Sequence, residues 1–241
     1  MTQKIDILAI GIHPDDVELC AAGTLLHHAA LGKTFGILDL SQGELGTRGT
    51  AAIRLQEAAQ AAKVLGAAFR KTLDIPDGFF THTPEHWLKI VRVIRDCRPE
   101  IVLCNAPEDR HPDHGRSAKL ETDACFYAGL EKIETFDDEG EKQQKWRPKA
   151  VYHYIQDINL QPDFVVDITP FLEQKKAAIL AYRSQFYDPH NTEPNTPISG
   201  KDFLEYLEAK AKVYGRSIQA PYAEGFIFSR IPGVNNLFDL L

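Results

Sequence analysis

No stretch of this sequence is apolar over the roughly 20 residues that a bilayer-spanning helix needs, so no membrane partner is expected. Cysteine is scarce, with four residues and no C-x-x-C pair. Cys20, Cys97, Cys104 and Cys125 sit in apolar patterns. That argues against a disulfide framework or a thiolate metal site, and for reduced core residues of a cytosolic protein. Positive charge is not in excess: the net charge is -7, which disfavours nonspecific nucleic-acid binding. An anionic ligand would need a local cluster of arginines. The opening MTQKIDILAIGIHPDD has a short apolar run that ends in His13-Pro14-Asp15-Asp16, with no small-residue cleavage site. It is not expected to be a signal peptide, and a cytoplasmic location is expected. Nor does a G-x-G-x-x-G follow the first apolar run, where His13 stands instead, and this argues against a dinucleotide-binding site.

What is present is a chain of ordinary globular composition, 44% hydrophobic and 25% charged, long enough for one large domain spanning residues 1–241. Strand and helix signals alternate along it. Lys4 to Ile12, Thr34 to Leu40, Phe69 to Leu73 and Ile101 to Cys104 read as strands. Val17 to Leu31 reads as a helix stopped by Gly32, and Thr50 to Leu65 as one stopped by Gly66. Thr83-Pro84 reads as the cap and first position of a helix running to Cys97, and a further helix starts near His114. After the charged loop Asp137 to Lys145, two strands are expected at Ala150 to Ile155 and Phe164 to Ile168. Helices follow from Thr169-Pro170 to Ser184 and from Asp202 to Tyr214, with a last strand at Gly225 to Ile231. Tyr187 to Ser199, dense in Pro, Asn and Thr, is a loop. The alternation predicts a Rossmann-like, three-layer α/β/α fold with a mostly parallel sheet. In such sheets ligands bind beyond the carboxyl ends of the strands at the switch point, here just after Ile12, Leu40 and Cys104.

Those loops carry the chemistry. After the first strand, His13 and Asp16 are three apart and can share one side of a helical turn, while Asp15 is rotated by roughly 100°. After the fourth strand, in NAPEDRHPDHG, His111 and His114 are again three apart, with Asp113 between them. Alone, HPDD reads equally as helix capping and HPDH as a polar loop. Two such segments facing each other across one crevice are harder to explain that way. Two histidines and a carboxylate leave a coordination position open, as a catalytic metal site requires. Such a set suits zinc and also Fe(II), and zinc is preferred because nothing points to oxygen chemistry. After the second strand, SQGELGTRGT forms a glycine-bearing loop, and Arg54 follows in the next helix. Arg54 and Arg110 are expected to hold a substrate carboxylate by paired hydrogen bonds. Tyr187 is kept as a candidate because it begins the loop expected to cover the site. His27, His28, His82, His86, His153 and His190 carry no partner signature, and Trp87 and Trp146 read as packing residues.

IGIHPDDVELCAAGTL, SQGELGTRGT and RHPDHG together resemble the LmbE-like, or PIG-L, zinc N-deacetylases, and the resemblance covers the whole order of elements. YRSQFYDPHNTEPNTPISGKDFLEYLEAKAKVYG further resembles the bacillithiol-pathway branch, whose members deacetylate N-acetylglucosaminyl-malate. The resemblance implies His13, Asp16 and His114 as metal ligands and Asp15 as general base. It implies a protonated His111 that stabilises the oxyanion, with Asp113 orienting it, and Arg54 and Arg110 as substrate-binding residues. It implies zinc, with Fe2+ as a substitute, a small amino-sugar substrate, and a homo-oligomer, hexameric in some members. The alternative substrate is another GlcNAc compound, such as a chitin disaccharide. The non-enzyme alternative is a sugar-binding protein that keeps the metal, and its cheapest signature, loss of Asp15, is not present.

Overall fold

Fully buried, β-branched-rich segments become the central strands of one sheet, because a parallel strand covered on both faces must be apolar along its whole length. The computed structural model describes residues 4–240; Met1 to Gln3, the start of the expected leaderless segment, and Leu241 lie outside the described residues. Strands β1 (Ile7–Gly11), β2 (Phe35–Asp39), β3 (Phe69–Thr72), β4 (Ile101–Cys104), β5 (Ala150–Tyr154), β6 (Phe164–Asp167) and β7 (Ala223–Phe228) form a sheet of order β3-β2-β1-β4-β5-β7-β6. The first five run parallel, and β7 is antiparallel to both β5 and β6. The mostly parallel sheet expected from the alternation is therefore the fold.

The helices are α1 (Asp16–Cys20), α2 (Ala22–Ala30), α3 (Ala51–Leu65), α4 (Pro84–Cys97), α5 (Pro112–Ala128), α6 (Leu172–Ile179) and α7 (Lys201–Arg216). They cover both faces, and alternate residues of β1 show it. Leu8 and Ile10 join Ile90, Ile94 and Leu120 from α4 and α5, while Ile7 and Ala9 join Leu25 of α2 and Ala178 of α6. Thr83 caps α4 by accepting from His86 N, as Thr83-Pro84 predicts. Among the described residues no helix is long and apolar enough to cross a membrane, and the four cysteines are free.

One expected helix is two. The run from Val17 to Leu31 breaks at Ala21, between α1 and α2. The cause lies far along the chain. The Glu224 carboxylate, on β7, accepts from Gly23 N at 3.0 Å and Thr24 N at 2.7 Å, satisfying the amides that open α2. The helix expected from Thr169 to Ser184 is likewise shorter: a 3-10 turn at Thr169–Phe171 leads into α6, which ends at Ile179.

β1 lies between β2 and β4, so the strand order reverses there and a crevice opens beyond the carboxyl ends. The register aligns Ala9 with Leu103, which brings the loops after β1 and β4 side by side.

Candidate active site

The loop after β1 places His13, Asp15 and Asp16 at the mouth of that crevice, all three buried. Asp15 is the residue preceding α1 and has φ 116°, a left-handed conformation that costs a non-glycine residue energy and clusters at functional sites. Asp15 and Asp16 then meet different partners. Asp15 Oδ2 accepts from Arg54 Nη2 at 3.2 Å. Asp16 Oδ2 accepts from Asn105 Nδ2 at 2.9 Å, and Oδ1 accepts from Gln156 Nε2 at 3.1 Å. The loops after β1, β4 and β5 thus converge on the Asp16 carboxylate.

His13, Asp16 and His114 come together as expected. His13 Nδ1 is 3.9 Å from Asp16 Oδ2, and His114 Nε2 is 3.2 Å from Asp16 Oδ1. The far nitrogen of each ring meets another carboxylate: His13 Nε2 is 2.9 Å from Asp77 Oδ1, and His114 Nδ1 is 2.6 Å from Asp109 Oδ2. A ring that donates its outer N–H to a carboxylate presents a bare lone pair on the inner nitrogen. Both inner nitrogens face Asp16.

The charge balance fits a cation. Burial alone would pull His13 and His114 down. Hydrogen bonds to Asp113 and Asp77, with the charge of Asp16, hold His13 up at about 10. Asp16 and Asp109 hold His114 at about 9. Four carboxylates press on two imidazoles, so the cluster calls for positive charge, as protons or as a divalent ion. His13, His111 and His114 each offer a nitrogen within 4.8 Å of the others, as do His13, Asp77 and Asp113 among themselves with their ligand atoms. In the second set the His13 atom nearest the carboxylates is Nε2, so Asp77 and Asp113 act on the outer side of that ring.

Burial pushes the Asp15 carboxyl up to about 7, against the pull of Arg54. A base of that affinity can both take and return a proton near neutral pH. His111 precedes α5, with its ring centroid 4.9 Å from that of His13 and 5.1 Å from that of His114.

Four expectations need correction. Asp113 does not orient His111 through its carboxylate. That group accepts from Gly78 N at 2.9 Å and Arg116 Nη2 at 3.1 Å, and it lies 3.5 Å from His13 Nε2. The Asp113 contact to His111 is its backbone amide, which donates to His111 Nδ1 at 3.3 Å. Nor is His111 held protonated: burial and the neighbouring His13 and His114 lower its pKa. With Nδ1 accepting, Nε2 carries the proton of the neutral ring.

Arg54 is not a free clamp. Besides Asp15, it donates to Pro14 O at 2.8 Å and Gly43 O at 3.1 Å. Gly43 has φ +64°, and a Cβ there would fall on the Arg54 guanidinium. Arg110 is exposed and pairs with Asp157. Tyr187 does not reach the cluster: it is 42% exposed and lines a separate groove between α6 and α7.

From the cluster a cavity of about 360 Å³ extends beneath α7, lined there by Tyr206, Leu207, Lys210 and Tyr214. Asp77, Asp109, Gln156 and Lys210 are contributions that the sequence reading missed. Asp77, in DIPDG, follows a strand's carboxyl end like the loops that were read, and Asp109 stands five residues before His114.

Known proteins resemble this chain in sequence and fold. The family model described as PIG-L: GlcNAc-PI de-N-acetylase matches residues 8–125, which hold every cluster residue named above except Gln156. The diacetylchitobiose deacetylase of Thermococcus kodakarensis is 30% identical over 239 residues, 95% of this chain and 84% of that protein. The crystal structure of a conserved protein from Thermus thermophilus is 35% identical with a TM-score of 0.83, covering 96% of this chain and 98% of that one. The N,N'-diacetylchitobiose deacetylase of Pyrococcus horikoshii, 24% identical, shares the fold with a TM-score of 0.76 over 98% of this chain and 88% of that one. On these matches, the chain belongs to the PIG-L, or LmbE-like, family of N-deacetylases, enzymes that hydrolyse N-acetyl amides.

Proposed function

We propose that this chain is a cytoplasmic zinc enzyme, with Fe2+ as a substitute, that hydrolyses N-acetylglucosaminyl-malate to acetate and glucosaminyl-malate. One observation carries the reading: Asp15, buried and with a pKa of about 7, lines the same cavity as His13, Asp16 and His114, whose ring nitrogens meet the Asp16 carboxylate. His13, Asp16 and His114 would hold the metal, and Asp77 and Asp109 would fix the two rings. When bound, the metal supplies a Lewis acid that polarises the acetamide carbonyl and acidifies water. Asp15 takes the proton of the attacking water and delivers it to the leaving amine. His111 donates from Nε2–H to the oxyanion that forms on the acetyl carbon. Arg54 keeps Asp15 aimed, and Arg110 lines the same cavity.

A second substrate reading, diacetylchitobiose, is favoured by the similarity to the Thermococcus kodakarensis enzyme over most of both chains. Acetate release by the purified, metal-analysed protein decides between the two, with the malate glycoside, diacetylchitobiose and GlcNAc as substrates. Turnover of the malate glycoside well above the other two is expected. Preference for the disaccharide transfers the assignment to the second reading, and no acetate from any of the three removes the hydrolase reading.

A further inference from the structure

The cavity contains two lysines, and they are held differently. Lys175 is buried and fully committed: its Nζ donates to Leu19 O at 2.7 Å and to Glu224 Oε1 at 2.6 Å. Lys210, on α7, is half-buried and donates to Gln156 O. Among the described residues no carboxylate pairs with it. The two acids whose charge reaches it, Asp109 and Asp157, already have closer partners in His114 and Arg110. Its Nζ lies 5.9 Å from the ring centroid of Tyr206 and 5.9 Å from that of Tyr214. Those rings, Lys210 and Arg110 line the same cavity. Burial lowers the pKa of Lys210, the mark of an ammonium taken out of water without a counter-ion. Such a group is costly unless something pairs with it.

Its position relative to the reaction centre is defined by one residue. The Gln156 side chain donates to Asp16, while the Gln156 carbonyl accepts from Lys210. Gln156 therefore links the Asp16 carboxylate to the ammonium, and all three line the cavity that a substrate with its acetamide at His13, Asp16 and His114 would occupy.

We propose that Lys210, framed by Tyr206 and Tyr214, binds a carboxylate carried by the substrate beyond its acetamido sugar. The proposal rests on the N-deacetylase reading and supplies the feature that separates acidic glycosides from neutral ones. A charge-assisted hydrogen bond in a partly dry cavity is worth roughly a 10- to 100-fold preference.

The test uses a matched pair of substrates, a GlcNAc glycoside of a hydroxydicarboxylic acid and its dimethyl ester. Wild-type protein is expected to favour the acid in kcat/KM. Lys210→Met is expected to lower kcat/KM for the acid, relative to the ester, by about 10- to 100-fold through KM, and Lys210→Arg to restore most of it. Calorimetric titration with malate alone gives a readout independent of turnover, and binding is expected for wild type and lost in Lys210→Met. An acid-to-ester ratio unchanged by Lys210→Met overturns the proposal. So does an equal loss for both substrates with a lowered melting temperature, which marks Lys210 as a purely structural tie to Gln156. If the wild type hydrolyses neither compound, the deacetylase reading fails, and the malate titration alone decides the fate of the anion site.

Discussion

The two walls of the cavity are built from different chemistry. The wall made by the loops after β1, β3 and β4 packs five aspartates and three histidines into one cluster, and most of those side chains have two or more partners. The wall made by α7 is aromatic and aliphatic, with one ammonium whose only hydrogen bond among the described residues is to a main-chain carbonyl. Groups tied twice hold their geometry to within the tolerance that proton transfer needs. Groups tied once can be exchanged at little cost to the rest. On the proposed reading, the strand-end loops carry the chemistry and α7 the choice of substrate.

The contrast is sharpest at Asp15. Asp15→Asn keeps the size and tolerates the left-handed backbone, so it is expected to retain metal while kcat falls by about 10²–10⁴. Elemental analysis together with steady-state kinetics checks this, and near-wild-type turnover would falsify the base assignment. Asp109→Ala comes next. It removes the partner of His114 Nδ1, and metal affinity is expected to drop by roughly 10–100-fold in a chelator competition. Unchanged affinity would mean that the ring is aimed by packing alone.

Arg54→Gln separates a positioning role from a substrate clamp. Its charge lowers the Asp15 pKa, so its loss raises that pKa, and the base must be ionised to act. The acid limb of the kcat/KM profile is therefore expected to move to higher pH. A raised KM for acidic substrates with an unmoved profile would return Arg54 to the clamp. The smallest effect belongs to Glu121, behind the site, whose carboxyl is raised by burial to about 8 while it accepts from Asn105 N. A folded-state pKa above the unfolded value means stability that is full below about 4.5 and is lost as pH rises through about 8. Glu121→Gln is expected to flatten that decline, as read by denaturant midpoints at pH 5 and pH 8. Parallel declines in the two proteins would place the pH sensitivity elsewhere.

The order of elements and the two facing loops were legible in the sequence because both depend on short-range pattern. Buried strands read as apolar runs, and HPDD and HPDH fall where the runs end. What was hidden depends on partners distant in the chain. Asp77 reaches His13 across 64 residues, Arg54 reaches Asp15 across 39, and Glu224 divides α1 from α2 across 201. Tyr187 failed for a related reason: a Pro- and Asn-rich loop announces its existence but not its course. Lys210 sat on an amphipathic helix, where periodicity reveals the inward face but not that, among the described residues, no carboxylate pairs with a cation on it.

Gly43 shows how far this dependence on remote partners extends. Its bare Cα leaves the gap that the Arg54 guanidinium occupies on its way to Asp15. A single methyl group added at Gly43 would evict the arginine. Acid–base chemistry would then be detuned from a position that no search confined to reactive side chains would inspect.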